Sequence, residues 1–169
     1  MTARTRLPAK RFDIWAEVSI VCGKGTLVSA SGERDHLWLG FVDNRTVLRF
    51  DVGGGPVELR SSKVRPEGRF KISARRYKKD AVLKVGSTVV EGSAQGRMSS
   101  LDVDPFIYIG HSPANVTRLS GTSMPGFVGC IHRLRVSDRD VIPPSQGMSI
   151  TSHGVRACTP DNLATLVCP

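Results

Sequence analysis

Acidic residues are scarce in this 169-residue chain: 15 Asp and Glu stand against 24 Lys and Arg, a formal charge of +9. Such an imbalance suits a polyanion as partner, whether glycosaminoglycan, nucleic acid or an anionic membrane surface. No apolar run approaches the roughly 20 residues that span a bilayer, so membrane insertion is not expected. The N-terminal stretch MTARTRLPAKRFDIW is basic but has no apolar centre of the signal-peptide kind, so any secretion signal is expected outside this chain. The four cysteines, Cys22, Cys130, Cys158 and Cys168, show no C-x-x-C spacing, and the four histidines are scattered. A structural zinc site is therefore not expected, and disulfides are. Four cysteines allow three pairings, and spacing does not choose among them.

Catalytic signatures are missing too. There is no G-x-S-x-G, no metalloprotease motif and no strand with an acidic pair of the E-x-D-x-x-E kind, while His36, His111, His132 and His153 share no recognisable context. A carbohydrate-active enzyme of jelly-roll type is the competing reading that these absences oppose.

What is present is period-2 patterning. IWAEVSIV, TLVSA, HLWLGFV, TVLRFDV, VELRS, RFKISARRY, AVLKVG, TVVEG, FIYIG and FVGCIHRLRVS are short β-branched and aromatic runs separated by Gly, Asn, Asp or Pro. Their spacing predicts a single all-β domain, an antiparallel β-sandwich. In HLWLGFV both faces are apolar, which predicts a central strand; around Phe70, Ile72 and Ala74 the alternate Lys71, Ser73 and Arg75 predict one wet face. A turn is expected at Asp43-Asn44. Residues 1–11 read as a basic N-terminal arm, 12–158 as the domain and 159–169 as a C-terminal linker.

The charge is concentrated. Between Arg60 and Lys84 ten basic residues face only Glu67 and Asp80. Arg69, Lys71, Arg75, Arg76, Lys78 and Lys79 are expected to form a cationic stripe on one sheet face and its turn, suited to sulfated sugars because guanidinium forks grip sulfate at two points and moderate contacts add along a polymer. A solvated face that merely protects an edge is the plainer alternative. A basic nucleic-acid-binding domain ranks lower, since only Phe70 and Tyr77 are available to stack bases. The sequons at Asn44 and Asn115 are candidate glycosylation sites, although Asn44 also suits a left-handed turn position.

In order and spacing, the segments GTLVSASG, DHLWLGFVDNRTVLRFDVGGGPVELRS, LKVGSTVVEG, LDVDPFIYIGHSP and MPGFVGCIHRLRVSDRDV resemble a laminin G-like domain. The resemblance implies a jelly-roll sandwich, a non-enzymatic extracellular recognition role in matrix or basement membrane, and heparan sulfate, another sulfated glycan or a glycosylated receptor such as dystroglycan as partner. It also implies a Cys130–Cys158 disulfide. The stretch before Phe12 is short for the family, which implies a missing or replaced first strand and an open sheet edge.

A calcium ion is the implied cofactor. The family's ligands fall here on the carboxylate of Asp35, the Val52 carbonyl seventeen residues on, the Ser100 carbonyl and the Asp102 side chain, with Asp104 outside the set. A hard cation takes oxygen ligands at roughly 2.3–2.6 Å, and two acids completed by carbonyls and water imply weak affinity, about 10⁻⁴–10⁻³ M. Ordinary turn chemistry would equally place Asp at these loop ends.

Overall fold

The computed structural model describes residues 1–64 and 68–169. Thirteen strands are present among them: β1 Thr2–Arg4, β2 Arg11–Ile20, β3 Gly25–Ser31, β4 His36–Val42, β5 Arg45–Asp51, β6 Val57–Lys63, β7 Phe70–Tyr77, β8 Asp80–Val85, β9 Thr88–Ser93, β10 Phe106–Ile109, β11 Gly129–Val136, β12 Arg139–Ile142 and β13 Ile150–Thr151. Two short helices, α1 Ala114–Ser120 and α2 Pro160–Ala164, complete the set. The strands form two antiparallel sheets, ordered β13-β1-β10-β3-β4-β5-β6 and β12-β11-β2-β7-β8-β9.

Alternation explains the layering. On β2 the residues Phe12, Ile14, Ala16, Val18 and Ile20 are buried while their neighbours are not, so one face meets the opposite sheet. From that sheet Leu37, Leu39 and Phe41 of β4 and Leu48 and Phe50 of β5 point back, all fully buried. Phe12 and Phe50 meet edge-on at 6.0 Å between centroids. Each such side chain contributes about 1.5–3 kcal/mol of burial. β4 is buried on both faces, as its two-sided apolar pattern predicts: Trp38 on the outer side packs with Val47 and Val116 beneath α1. Asp43 and Asn44 close the β4–β5 hairpin with φ of 50° and 58°, a pair of left-handed residues whose twist matches the flanking strands.

Both chain ends depart from expectation. Residues 1–11 are not a loose arm: β1 pairs with β10 on one side and β13 on the other, Ala3 and Leu7 are buried, and the terminal ammonium donates to the Ile109 carbonyl at 3.1 Å. β1 thus covers the edge of β10, a replacement strand where the resemblance implied an open sheet edge. Three residues are too few to show an alternation, and β1 exists through its partners. The segment 159–169 is likewise anchored. Cys168 is joined to Cys22, the pairing that the sequence left open, with Cα atoms 5.5 Å apart. Cys130 is joined to Cys158, as the resemblance implied, at 5.7 Å.

Candidate functional site

At one end of the sandwich three loops converge. Asp35 stands at the mouth of β4, 7% exposed, and its Oδ2 accepts the backbone N–H of Asp102 at 2.8 Å. Segments 67 residues apart therefore meet, and Asp104 N–H donating to Ser31 O at 2.9 Å holds the second one in place. Asp51 shapes the third loop: its Oδ1 accepts the N–H groups of Gly53 at 2.8 Å and Gly55 at 3.2 Å, folding the chain just after Val52. That turn lies against residues 95–98, for a Cβ on Gly54 would collide with the Gln95 carbonyl and one on Gly53 would press on Met98. Among the described residues, no loop N–H or side chain donates to the Val52 or Ser100 carbonyl.

The electrostatics of this rim are those of excess negative charge. Burial pushes the Asp35 carboxyl above its ordinary range; the Asp102 N–H opposes the rise, the carboxylates of Asp102 and Asp51 add to it, and Arg76 opposes it. Among the described residues no three His, Cys, Asp or Glu side chains converge as a metal cage. A cation here would draw on two acids, carbonyls and water. Carboxylate and carbonyl oxygens are the donor types that a hard divalent cation takes.

The basic stripe divides three ways. Arg69, Lys71 and Arg75 face solvent on the six-stranded sheet, where Arg69 Nε bonds Glu17 Oε1 at 2.8 Å and Arg75 Nε lies 3.5 Å from Asp13 Oδ2. Lys78 and Lys79 occupy the β7–β8 turn, Lys78 at φ 55° with its ammonium 5.4 Å above the Tyr77 ring and Lys79 donating to the Gly96 carbonyl at 3.1 Å. Arg76 must be struck from the stripe. It follows Ile72 and Ala74 on the inward side of β7 and is 2% exposed. Its guanidinium donates to Lys78 O at 2.6 Å, Ser99 O at 3.3 Å and Ala9 O at 2.8 Å, and lies 5.2 Å over the Phe12 ring. Burial pulls its pKa down to about 10, against the pull of Asp35. It cannot grip a glycan, but it ties residues 9 and 99 to the rim.

The sequon asparagines are engaged in structure. Asn115 Nδ2 donates to Ser31 Oγ at 3.1 Å and Gly32 O at 2.9 Å, so a glycan on that nitrogen, which leaves it one N–H, would displace at least one of these bonds. Asn44 supplies the left-handed turn position, and its N–H donates to Gly23 O at 3.0 Å. Ser19 Oγ lies 2.8 Å from His132 Nε2, but the other ring nitrogen faces Cys130 Sγ at 3.8 Å instead of a carboxylate, so no nucleophile–base–acid relay is formed there. A cavity of about 1070 Å³ beneath the C-terminal segment is lined by His111, Phe127, His153 and Leu163 among others. Sequence reasoning overlooked Arg133 and Arg135, which share the outer face with Arg75; the alternation in HRLRV was the available signal.

The sequence profile described as Laminin G domain matches residues 22–139, more than half of the chain. The chain is 28% identical over 131 residues to the mouse basement membrane-specific heparan sulfate proteoglycan core protein, covering 76% of this chain and 4% of that protein. It is 30% identical over 125 residues to human pikachurin, covering 70% and 12%, so the chain spans only a small part of these curated relatives. Among solved structures, domains LG4-5 of the mouse laminin alpha1 chain superpose with a TM-score of 0.74 at 18% identity, over 88% of this chain and 43% of that one, a likeness of fold. The profile match and these relatives place the chain in the laminin G domain family.

Proposed function

We propose that this domain is a non-enzymatic extracellular recognition module that binds sulfated glycans through the outer face of its six-stranded sheet, with a calcium ion organising the rim at Asp35. The observation that carries the reading is the exposed cation set on that face, where Lys71, Arg75 and Lys84 project from adjacent strands. Its support from kinship is that relatives include a proteoglycan core protein of basement membranes. Asp35 and Asp102 would hold the cation with the Val52 and Ser100 carbonyls, and its role there would be to neutralise the rim and fix its loops.

The test compares retention on heparin with retention on a sulfonate exchanger at matched salt. Heparin should retain the protein to higher salt, and binding should weaken steeply as exposed charges are screened. Reversal of Lys71, Arg75 and Lys84 to Glu should abolish the difference, whereas reversal of Arg4, Arg6 and Arg60 should leave most of it. Equal damage from both sets would reduce the face to bulk charge.

A further inference from the structure

Trp15 sits half-buried on the solvent side of β2 near the middle of the six-stranded sheet, outside the core that its neighbours Ile14 and Ala16 join. Register places Arg135 of β11 and Ser73 of β7 directly beside it. With Arg75 and Arg133 these residues enclose a shallow trough of about 330 Å³, with Asp13 and Asp138 on its margin. That volume is at the lower end of the roughly 300–1,000 Å³ of small-ligand sites. Arg133 Cζ is held 5.4 Å over the indole, so one guanidinium is already oriented by stacking.

The trough arginines are only loosely paired. Arg75 Nε is 3.5 Å from Asp13 Oδ2, and Arg133 and Arg135 approach the same oxygen, Asp140 Oδ1, at 3.7 and 3.6 Å. That oxygen accepts no hydrogen bond among the described residues. Arg69, just before β7, shows what a closed pair looks like, at 2.8 Å from Glu17 of β2. Three guanidinium forks are thus gathered round an aromatic floor with donors to spare. A sulfate or carboxylate group can satisfy two such donors at once.

We propose that this trough is the anchoring subsite for one acidic sugar unit of a sulfated, uronate-bearing polysaccharide, an assignment that rests on the glycan reading above. Arg75, Arg133 and Arg135 bind its anionic groups, Asp13 and Asp138 accept hydrogen bonds from its hydroxyls, and Trp15 holds Arg133 and supplies the apolar floor. The same acids disfavour a polyphosphate strand, which brings few hydroxyl donors, and a lone indole offers no succession of stacking surfaces for bases.

A heparin tetrasaccharide, titrated by calorimetry and by tryptophan emission, tests this. The double variant Arg133→Gln/Arg135→Gln should bind at least about tenfold more weakly, the scale of one lost charge-assisted hydrogen bond. Lys78→Gln/Lys79→Gln removes the same charge from the turn and should cost less than about threefold. Emission should respond in the wild type and not in Trp15→Phe, and thermal melts should confirm that all variants are folded. Loss confined to the Lys78/Lys79 variant would leave glycan binding standing and overturn the trough, as would equal losses from both pairs. A single-stranded oligonucleotide of matched charge binding as tightly, with the same dependence on Arg133 and Arg135, would overturn the sugar assignment. No tetrasaccharide binding by the wild type at physiological salt would overturn the trough and the glycan reading together.

Discussion

Arg75 and Arg76 are neighbours in sequence, yet one belongs to the outer face and the other to the rim. The Arg75 side chain is 66% exposed with a single carboxylate 3.5 Å away, while Arg76 is 2% exposed and donates to three carbonyls. The same split separates the two regions as wholes. At the rim, Asp35 and Arg76 are withdrawn from water and engaged in joining loops; on the face, Arg75, Arg133 and Arg135 stand in solvent with partial partners. Burial makes a charge part of the architecture, because an unsatisfied group there is costly; exposure leaves it free for a ligand.

The largest effect should come from breaking that contrast at its sharpest point. Arg76→Met keeps the length of the side chain but leaves the carbonyls of Lys78 and Ser99 without a donor and takes from the Ala9 carbonyl one of its two, the Leu101 N–H remaining at 2.8 Å. A loss of about 2–6 kcal/mol is expected, since each buried carbonyl left unpaired costs about 1–3 kcal/mol. Arg75→Met should change stability by less than about 0.5 kcal/mol, as surface substitutions usually do. Urea unfolding of both variants measures this, and similar losses would erase the distinction between the two arginines.

Arg76 also marks where the sequence was misread. Alternation from Ile72 and Ala74 points position 76 inward, but its charge, embedded in a run of basic residues, argued for solvent. Two of its three acceptors come from residues 9 and 99, which no local pattern could announce. By contrast the β4–β5 hairpin was legible because its turn chemistry is local: two left-handed residues, Asp43 and Asn44, between apolar alternations. The meeting of Asp35 with residue 102 was legible only through the family resemblance, since 67 positions separate them. β1 was invisible for the opposite reason, being a three-residue strand made by its neighbours. The outward arginines of β11 were visible in HRLRV, but their convergence on Trp15 needed the register of three strands.

A smaller effect should sharpen the comparison by adding a cation to one region alone. Calcium at ten times its dissociation constant should stabilise the wild type by about 1.4 kcal/mol through mass action. Asp35→Asn and Asp102→Ala should lose the increment, and Asp104→Ala and Arg133→Gln should keep it. Without calcium, Asp35→Asn should be no less stable than wild type, because burial and two nearby carboxylates disfavour the charge it removes while its amide oxygen still accepts the Asp102 N–H. Thermal melts with and without millimolar calcium check all five proteins. An equal calcium response from Asp35→Asn would make the rim acids ordinary turn residues.

The smallest effect belongs to the best-formed ion pair of the outer face. Arg69 Nε meets Glu17 Oε1 at 2.8 Å, but the two side chains are 55% and 20% exposed, so water competes for both and holding the arginine still costs rotamer freedom. A double-mutant cycle with Arg69→Met and Glu17→Gln should return a coupling of only about 0.2–1 kcal/mol. The coupling should shrink further in 1 M salt, where the screening length falls to about 3 Å. Because Glu17 occupies Arg69, its neutralisation should free that guanidinium and lengthen heparin retention even as stability dips slightly. A coupling above about 2 kcal/mol, or shortened retention in Glu17→Gln, would mean that this pair is built into the sheet as Arg76 is built into the rim, and the exposed face would then lose one of the cations counted toward its ligand.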